Sequence, residues 1–383
     1  KSSSESSSWT QMQRMNCILD TDIGDAIDDA WALAWIIKSE QLDLKLVVSS
    51  CGDSSQLASR ADVAAEILEA AGVEIPVCVG VPSFRCMEQH SGSYFTPPAA
   101  KRSRLVHDGD TLEEMWRVAQ QYGSKEKPII IICIGAAHNV AAAHRRFGDE
   151  FAACVRIQGM YGRLLHPDYV AQAEGWPQYS LRDAEVQVVF NDYNSRGGVP
   201  DNEAREGEKG KAVAVMLEAP FVAIDLCSLS AVGEAMKHFP PELSQRLHES
   251  DDPLARTILK MDGQYDDKIR ELLKADPEYW RGYCHWAEAD PKFVALWDVA
   301  VIGALLQTKG ELPAPSWRPL DVGNSVRVAL EWQEEAKLDC IWHAFVDCLV
   351  PTTEQKQTKP RAGSGAEEGA AAEGVEPVKE VDT

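Results

Sequence analysis

Short runs rich in apolar and β-branched residues alternate along this chain with stretches of helical periodicity, and no other feature restricts the fold as much. "NCIL" precedes "DDAWALAWIIKS", "LKLVVSSC" precedes "SQLASRADVAAEILEAAG", and "IPVCVG" precedes "TLEEMWRVAQQYG"; "PIIIICIG", "HNVAAAHRRF" and "CVRI" continue the series. Near-continuous apolar strands belong to a sheet covered on both faces, and intervening helices return the chain so that successive strands run parallel. The expected fold class is α/β: an open, mostly parallel twisted sheet flanked by helices, Rossmann-like at its core. Thr111 to Glu114 reads as a capping box for its helix. Later, "PFVAIDL" and "SVRVALEW" read as strands. Leu243 to Leu273 reads as a helical insertion, and "KFVALWDVAVIGALL" and "KLDCIWHAFVDCL" as helices.

No linker-like break and no internal repeat interrupts the pattern, so residues 16–351 are expected to form a single domain. Residues 1–15, "KSSSESSSWTQMQRM", predict a disordered leader. Residues 352–383 predict a disordered acidic tail, because its Gly/Ala/Glu-rich sequence has too little apolar surface to offset the entropy of ordering. With 383 residues, 45% of them hydrophobic, the chain can build a large core. No apolar run approaches the ~20 residues that span a bilayer, so no membrane partner is expected. A formal charge of -22 without a Lys/Arg cluster argues against a nucleic-acid polymer as partner. Ten scattered cysteines without a C-x-x-C pair fit a reducing compartment, and a cytoplasmic location is expected.

The stretch "ILDTDIGDAIDDAWAL" concentrates five aspartates, from Asp20 to Asp29, between an apolar strand and an apolar helix. Asp20 and Asp22 follow the strand at its carboxyl end, where parallel sheets open into a ligand crevice. Asp28 and Asp29 begin the next helix, whose dipole favours negative charge by only a few tenths to ~1 kcal/mol per residue. Carboxylates converging on one point repel each other by more than that unless a cation or shared protons neutralise them. A hard divalent cation resolves the conflict; calcium, with its flexible shell of roughly six to eight oxygens, is the first choice. The plainer alternative is that Asp28 and Asp29 merely cap a helix and Asp25 faces solvent.

"DTDIGDAIDDAWAL" resembles the amino-terminal signature of the inosine-uridine preferring nucleoside hydrolase family, in a longer form with two extra residues before the Asp pair. Further segments follow in that family's order. "VVSSCGD" looks like a strand end usually written Gly-Asn, "IIIICIGAAHNVAAA" is similar to LGPLTNLA, "RIQGMYG" to the MGG strand, "LWDVAVIGALL" to the late helix carrying an essential Asp, and "SVRVALEWQEEAKLDCIWHAF" to the closing strand and helix. The resemblance spans Asn16 to Val350 and implies a nucleoside hydrolase-like fold with helical insertions.

It also implies an activity: calcium-dependent hydrolysis of the N-glycosidic bond of a ribonucleoside or similar substrate to base and ribose. By similarity, Asp22, Asp29 and Asp298 would give carboxylate oxygens to one Ca2+, with the main-chain carbonyl of His138, in a place where the family has Thr. Asp22 would be the catalytic base that takes a proton from water attacking the anomeric carbon. Asp28 and Asp53 would meet ribose hydroxyls, and Met160 would line the sugar pocket. Trp297 stands where some members carry a histidine acid and purine-preferring members a base-stacking Trp, which tilts the expected leaving group toward a purine. Relatives form dimers or tetramers, so the resemblance implies a homo-oligomer.

One departure stands out. The family grips ribose through a Glu-aromatic-Asn segment, and the corresponding place here reads Gln178, Tyr179, Ser180, with Trp176 and His166 as possible substitutes. His90, His107 and His285 are secondary candidates for substrate contact, and Trp280 and Trp286 for an aromatic lid. The departure motivates an alternative class: a nucleoside hydrolase-like binding protein with weak or no turnover. A phosphatase of the haloacid dehalogenase type, which can also use "DTD" after a strand, wants Thr or Val where this chain has Gly24.

Overall fold

The computed structural model describes residues 14–24, 26–83, 102–164, 177–182, 184, 186–190, 194, 203–275, 277, 296–307, 312–322 and 325–352. Every described strand and helix lies in the unit Lys1–Val350, which separates by its contacts from Pro351–Thr383. Six parallel strands open the sheet: β1 (Met15–Thr21), β2 (Leu42–Ser49), β3 (Val77–Cys78), β4 (Val106–His107), β5 (Ile129–Cys133) and β6 (Val155–Met160). β7 (Arg163–Leu164), β8 (Gln178–Ser180) and β9 (Gln187–Val189) form a small antiparallel sheet. β10 (Ala223–Cys227), β11 (Pro315–Pro319) and β12 (Val326–Trp332) complete the large one, in the order β11-β12-β10-β6-β5-β1-β2-β3-β4. Every pairing in it is parallel except β11 with β12. The expected mostly parallel α/β sheet is thus the one observed.

Strand alternation distributes the core between two layers. Cys17 and Leu19 of β1 and Ile130 and Ile132 of β5 face one layer; Ile18, Ile131 and Cys133 face the other. The first layer contains α1 (Asp28–Lys38) and α2 (Ser54–Ala70), the second α3 (Thr111–Tyr122), α4 (His138–Ala153) and α5 (Glu203–Glu218). Five later helices join the first layer: α6 (Leu229–Met236), α7 (Pro241–His248), α8 (Pro253–Ala275), α9 (Trp297–Leu306) and α10 (Asp339–Leu349).

The order of strands has a reversal at its centre. From β1 the chain moves outward through β2, β3 and β4, then returns to β5 on the other flank of β1 and proceeds outward through β6 and β10. Loops leaving the carboxyl ends of β1 and β5 therefore diverge, and the gap between them is where an open α/β sheet holds a ligand. Gly135, just past β5, permits the close approach of the two ends. A Cβ there would stand 2.6 Å from the Asp22 main-chain nitrogen and 2.1 Å from Ser50 Oγ.

Helix starts differ from the sequence expectation at one place. The cap of α3 is Asp110, whose carboxylate accepts the Leu112 and Glu113 N–H groups, while the Thr111 hydroxyl donates to the Val79 carbonyl. Thr111 is buried against a strand end and so is unavailable to cap. A capping box does exist at α2, between Asp53 and Gln56. No described helix is long and apolar enough to cross a membrane.

Candidate active site and metal centre

Two helices of the first layer are apolar almost all round, the pattern of a helix enclosed by protein. In α1 every residue from Asp28 to Ile36 is buried, and in α9 every residue from Asp298 to Leu306. The exceptions to their apolar character are the acids of their first turns. Both helix starts meet, and carboxylate oxygens of Asp28, Asp29 and Asp298 lie within 4.8 Å of one another. Residues some 270 positions apart in sequence thus share one point at the carboxyl edge of β1. Asp28 and Asp29 are not solvated helix caps, since they are 6% and 3% exposed and Ile27 at the cap position receives no side-chain cap bond.

Burial dominates the electrostatics of this point. It raises the Asp28 carboxyl to about 7, partly opposed by the main-chain N–H groups of Asp28, Asp298 and Asp29, while the Asp22 charge adds to the rise. Asp29 and Asp298 are pushed well above the ordinary carboxylate range, first by burial and then by the charges of neighbouring aspartates, including Asp22. Asp22 itself is 3% exposed. The Thr21 hydroxyl donates to Asp29 Oδ1 while accepting the Ile23 N–H, so Asp29 is held from the strand side. Oδ1 of Asp28 and Oδ1 of Asp298 are buried without a hydrogen-bond partner. Buried carboxylate oxygens left unsatisfied beside other carboxylates form a donor set for a hard cation, and this set fits one.

The structure divides the remaining candidates. Asp20 turns to the opposite layer, where burial, offset in part by Asn139 and Ser50, raises it to about 7. His138 opens α4 directly after β5, and its neighbour Asn139 ties the ends of β2 and β3 by bonds to the Ser49 carbonyl (3.0 Å) and the Val81 N–H (2.8 Å). Met160 ends β6 on the α1 side at 8% exposure. Trp297, half-buried, is the first residue of α9 and packs on the core beside Asp298. Asp53 is occupied as a helix cap: its Oδ1 accepts from Ser55 N, Gln56 N and Ser55 Oγ at 3.0, 3.0 and 2.7 Å.

Gln178, Tyr179 and Ser180 do not join the acidic cluster. They form β8 on the second layer, where Tyr179 packs on Phe190 and the Ser180 carbonyl accepts the Asp321 N–H beside the start of β12, toward the amino edge of the sheet. Asn194 is at the carboxyl edge instead. It is 1% exposed, and its amide donates to the carbonyls of Ile134 (2.7 Å) and Met160 (3.2 Å), clasping the ends of β5 and β6. The sequence signal was present: Asp192-Tyr193-Asn194 repeats the acid-aromatic-amide order, though Asp192 and Tyr193 lie outside the described residues. His107, in the sheet-edge strand β4, lines a surface cleft of 750 Å³ with Asp108 and Glu114, three strands from β1. His90, His166, Trp176, Trp280, His285 and Trp286 also lie outside the described residues.

One residue had no signal in the sequence. Arg60 projects from α2 with no exposed surface and donates from Nε to the Cys51 carbonyl (2.9 Å) and from its terminal nitrogen to the carbonyls of Asp22 and Ile23. Its charge also lowers Asp29, against the larger effect of burial.

A sequence model of the inosine-uridine preferring nucleoside hydrolases matches residues 17–176, which contain the strand, the turn and the helix start carrying Asp22, Asp28 and Asp29. Over those residues the chain is similar to the inosine-uridine preferring nucleoside hydrolases. Solved structures agree on the fold. A plant nucleoside hydrolase superposes with a TM-score of 0.58 at 17% identity, over 89% of this chain and 100% of that one. The inosine-uridine preferring nucleoside hydrolase from Bacillus anthracis gives 0.54 at 14%, over 88% and 100%. The type III effector protein XopQ, complexed with adenosine diphosphate ribose, gives 0.59 at 16%, over 88% and 95%. Identities this low establish the architecture alone. No curated protein matches the sequence significantly. Family and fold together support an enzyme of the nucleoside hydrolase class, acting on an N-glycosidic bond.

Proposed function

We propose that this nucleoside hydrolase is calcium-dependent and releases a purine or other flat aromatic base from a ribonucleoside or nucleoside-like molecule. The observation that carries the reading is the meeting of Asp28, Asp29 and Asp298 at the switch point of the sheet, with Oδ1 of Asp28 and Oδ1 of Asp298 buried without a hydrogen-bond partner. Asp22, Asp29 and Asp298 would hold the ion by carboxylate oxygens, with the His138 carbonyl as a further ligand. When bound, Ca2+ would neutralise the carboxylates and raise the acidity of nearby water.

The protein's own residues supply the rest. Asp22 accepts a proton from a water molecule as that water's oxygen bonds to the anomeric carbon. The C–N bond breaks with its electron pair leaving on the base, which takes up a proton from solvent to depart as a neutral heterocycle, while Asp22 returns its proton to solvent. The sugar gains positive charge in that transition state, and buried carboxylates around it stabilise the charge more strongly than water does. Asp28 takes a ribose hydroxyl and Met160 lines the sugar pocket. Asn194 substitutes for the residues expected at 178–180, and Trp297 offers an aromatic face to the base. Asp53 meets a second ribose hydroxyl. The partner is a small molecule, and a cytoplasmic homo-oligomer, dimer or tetramer, completes the reading.

Incubation with a panel of nucleosides tests it. Equal amounts of free base and ribose are expected, with release lost in Asp22→Asn and in chelator. A second reading, ligand binding without turnover, draws on the capping of Asp53 and on a similar fold crystallised with adenosine diphosphate ribose. Calcium uptake and saturable nucleoside binding with no base released would favour it.

A further inference from the structure

Four aspartates could be brought together by their helices and strand and still miss a common focus, because Asp22 lies in the turn between β1 and α1 and not in either element. Within that turn the Thr21 hydroxyl accepts the Ile23 N–H, which ties down a donor but leaves the carbonyls to be held from elsewhere. Gly24 within it takes φ 101°, a left-handed conformation that tightens the bend but gives no anchor. Its carbonyls are gripped from outside by Arg60, which reaches across from α2 to Asp22 and Ile23 and holds the Cys51 carbonyl of the adjacent turn as well. Cys51 has φ 64°, unusual for a residue with a side chain, so the second turn is itself shaped to present that carbonyl. A planar guanidinium presents several donors in a fixed fork; a lysine offers donors from a single point and cannot span carbonyls of two turns.

We propose that Arg60 is the positioning residue of the metal centre: it fixes the β1–α1 turn through main-chain carbonyls so that the Asp22 carboxylate points at the place where Asp29 and Asp298 converge. The proposal rests on the reading that a divalent cation sits there. Arg60 neither touches substrate nor ligates the ion. Its positive charge works against cation binding, so the contribution it makes is geometric and exceeds the repulsion it brings.

Calcium titration of the purified chain, followed by calorimetry and by the calcium-induced rise in Tm, reads this without any turnover. Arg60→Lys keeps the charge and removes the fork; calcium affinity is expected to fall about tenfold or more. Arg60→Gln removes the charge too, and its affinity is still expected below that of the unmodified protein. Arg327→Lys, at the partly solvated arginine paired with buried Asp225, is the structural control: its Tm falls and its calcium affinity stays within twofold. An arginine of merely structural importance would behave like that control. Unchanged affinity in Arg60→Lys, or tighter binding in Arg60→Gln, overturns the proposal. If Arg60→Gln does not fold, Arg60→Lys decides alone. Failure of the unmodified protein to bind calcium refutes the metal reading, and absence of base release alongside normal calcium binding refutes only the catalytic one.

Discussion

The molecule buries aspartate side chains in two ways. Asp225, 2% exposed in β10, receives two bonds of 2.8 Å from Arg327 on β12 and one of 2.9 Å from Arg156 on β6. The three strands are neighbours: Arg327 stands opposite Asp225 in the register and Arg156 lies two residues off on the same face, so the acid and its bases are matched across the sheet. Asp28, Asp29 and Asp298 are buried to the same degree, yet among the described residues no ion pair reaches any of them. Two arginines face the first site; at the second, Arg60 bonds to carbonyls and only its charge acts on Asp29. A folded chain tolerates an acid cluster without bases when something outside the chain completes it, and the difference separates scaffold from function.

The largest expected effect comes from removing one member of the uncompensated cluster. Asp298→Asn takes away a charged ligand, and calcium affinity should fall at least about a hundredfold. Stability without calcium should hold or rise, because one acid of a mutually repelling buried cluster becomes a neutral amide. Calorimetric titration and melting in chelator give the two readings; a fall in calcium-free Tm would place Asp298 in the scaffold instead. Asp225→Ala should do the opposite. It strands two arginines that are partly solvated, so the loss of stability should be about 2–3 kcal/mol, below the full penalty of a deeply buried pair, while calcium affinity is retained.

A smaller and more diagnostic effect follows from pH. Asp20 and Asp28 hold their protons in the folded protein up to about 7, well above the ordinary aspartate value. A raised folded pKa means that the folded state binds protons more tightly than the unfolded state. The stability this contributes is complete at pH values below the unfolded pKa and is lost as pH rises toward 7. Calcium-free protein should therefore melt at progressively lower temperature from pH 5 to pH 8. Saturating calcium, which binds deprotonated carboxylates, should flatten or reverse that slope. The slope should shrink in Asp28→Asn and persist in Asp225→Ala. A calcium-free Tm that climbs with pH would mean that these carboxyls ionise freely.

How much of this was visible in the sequence depended on whether the chemistry was local. Strands and helices of the large sheet were legible because apolar runs have no other stable use, and Asp22, Asp28 and Asp29 were legible because one short segment carries them. Asp298 came only through family likeness, since nothing in "LWDVAVIGALL" by itself says that its acid meets residues 270 positions earlier. The small sheet and β11 were missed: their strands are short and their pairings are set by neighbours. Gln178–Ser180, expected in the sugar-gripping place, fall in that same small sheet, whose pairings the local sequence does not announce. Arg60 was invisible for a different reason. An arginine on an amphipathic helix reads as solvated, and only the two turns folding over it turn it inward. Asp53 shows the converse: its local signal was a cap, and the cap is what formed.

Trp297 offers the finest separation between the two kinds of site. It begins α9 beside Asp298, half-buried, and carries no charge, so it can affect the substrate without altering what completes the acid cluster. Trp297→Phe keeps an aromatic face of smaller area. Stacking differences of this kind are worth about 0.5–1.5 kcal/mol, so the preference for purine over pyrimidine nucleosides should weaken by roughly three- to tenfold in kcat/KM. Calcium affinity should be unchanged. If calcium affinity falls together with purine preference, Trp297 is packing that orients the α9 start, and the aromatic contact to the base must come from elsewhere. If neither moves, the residue is core, and the inclination toward a purine leaving group loses the single side chain that supports it.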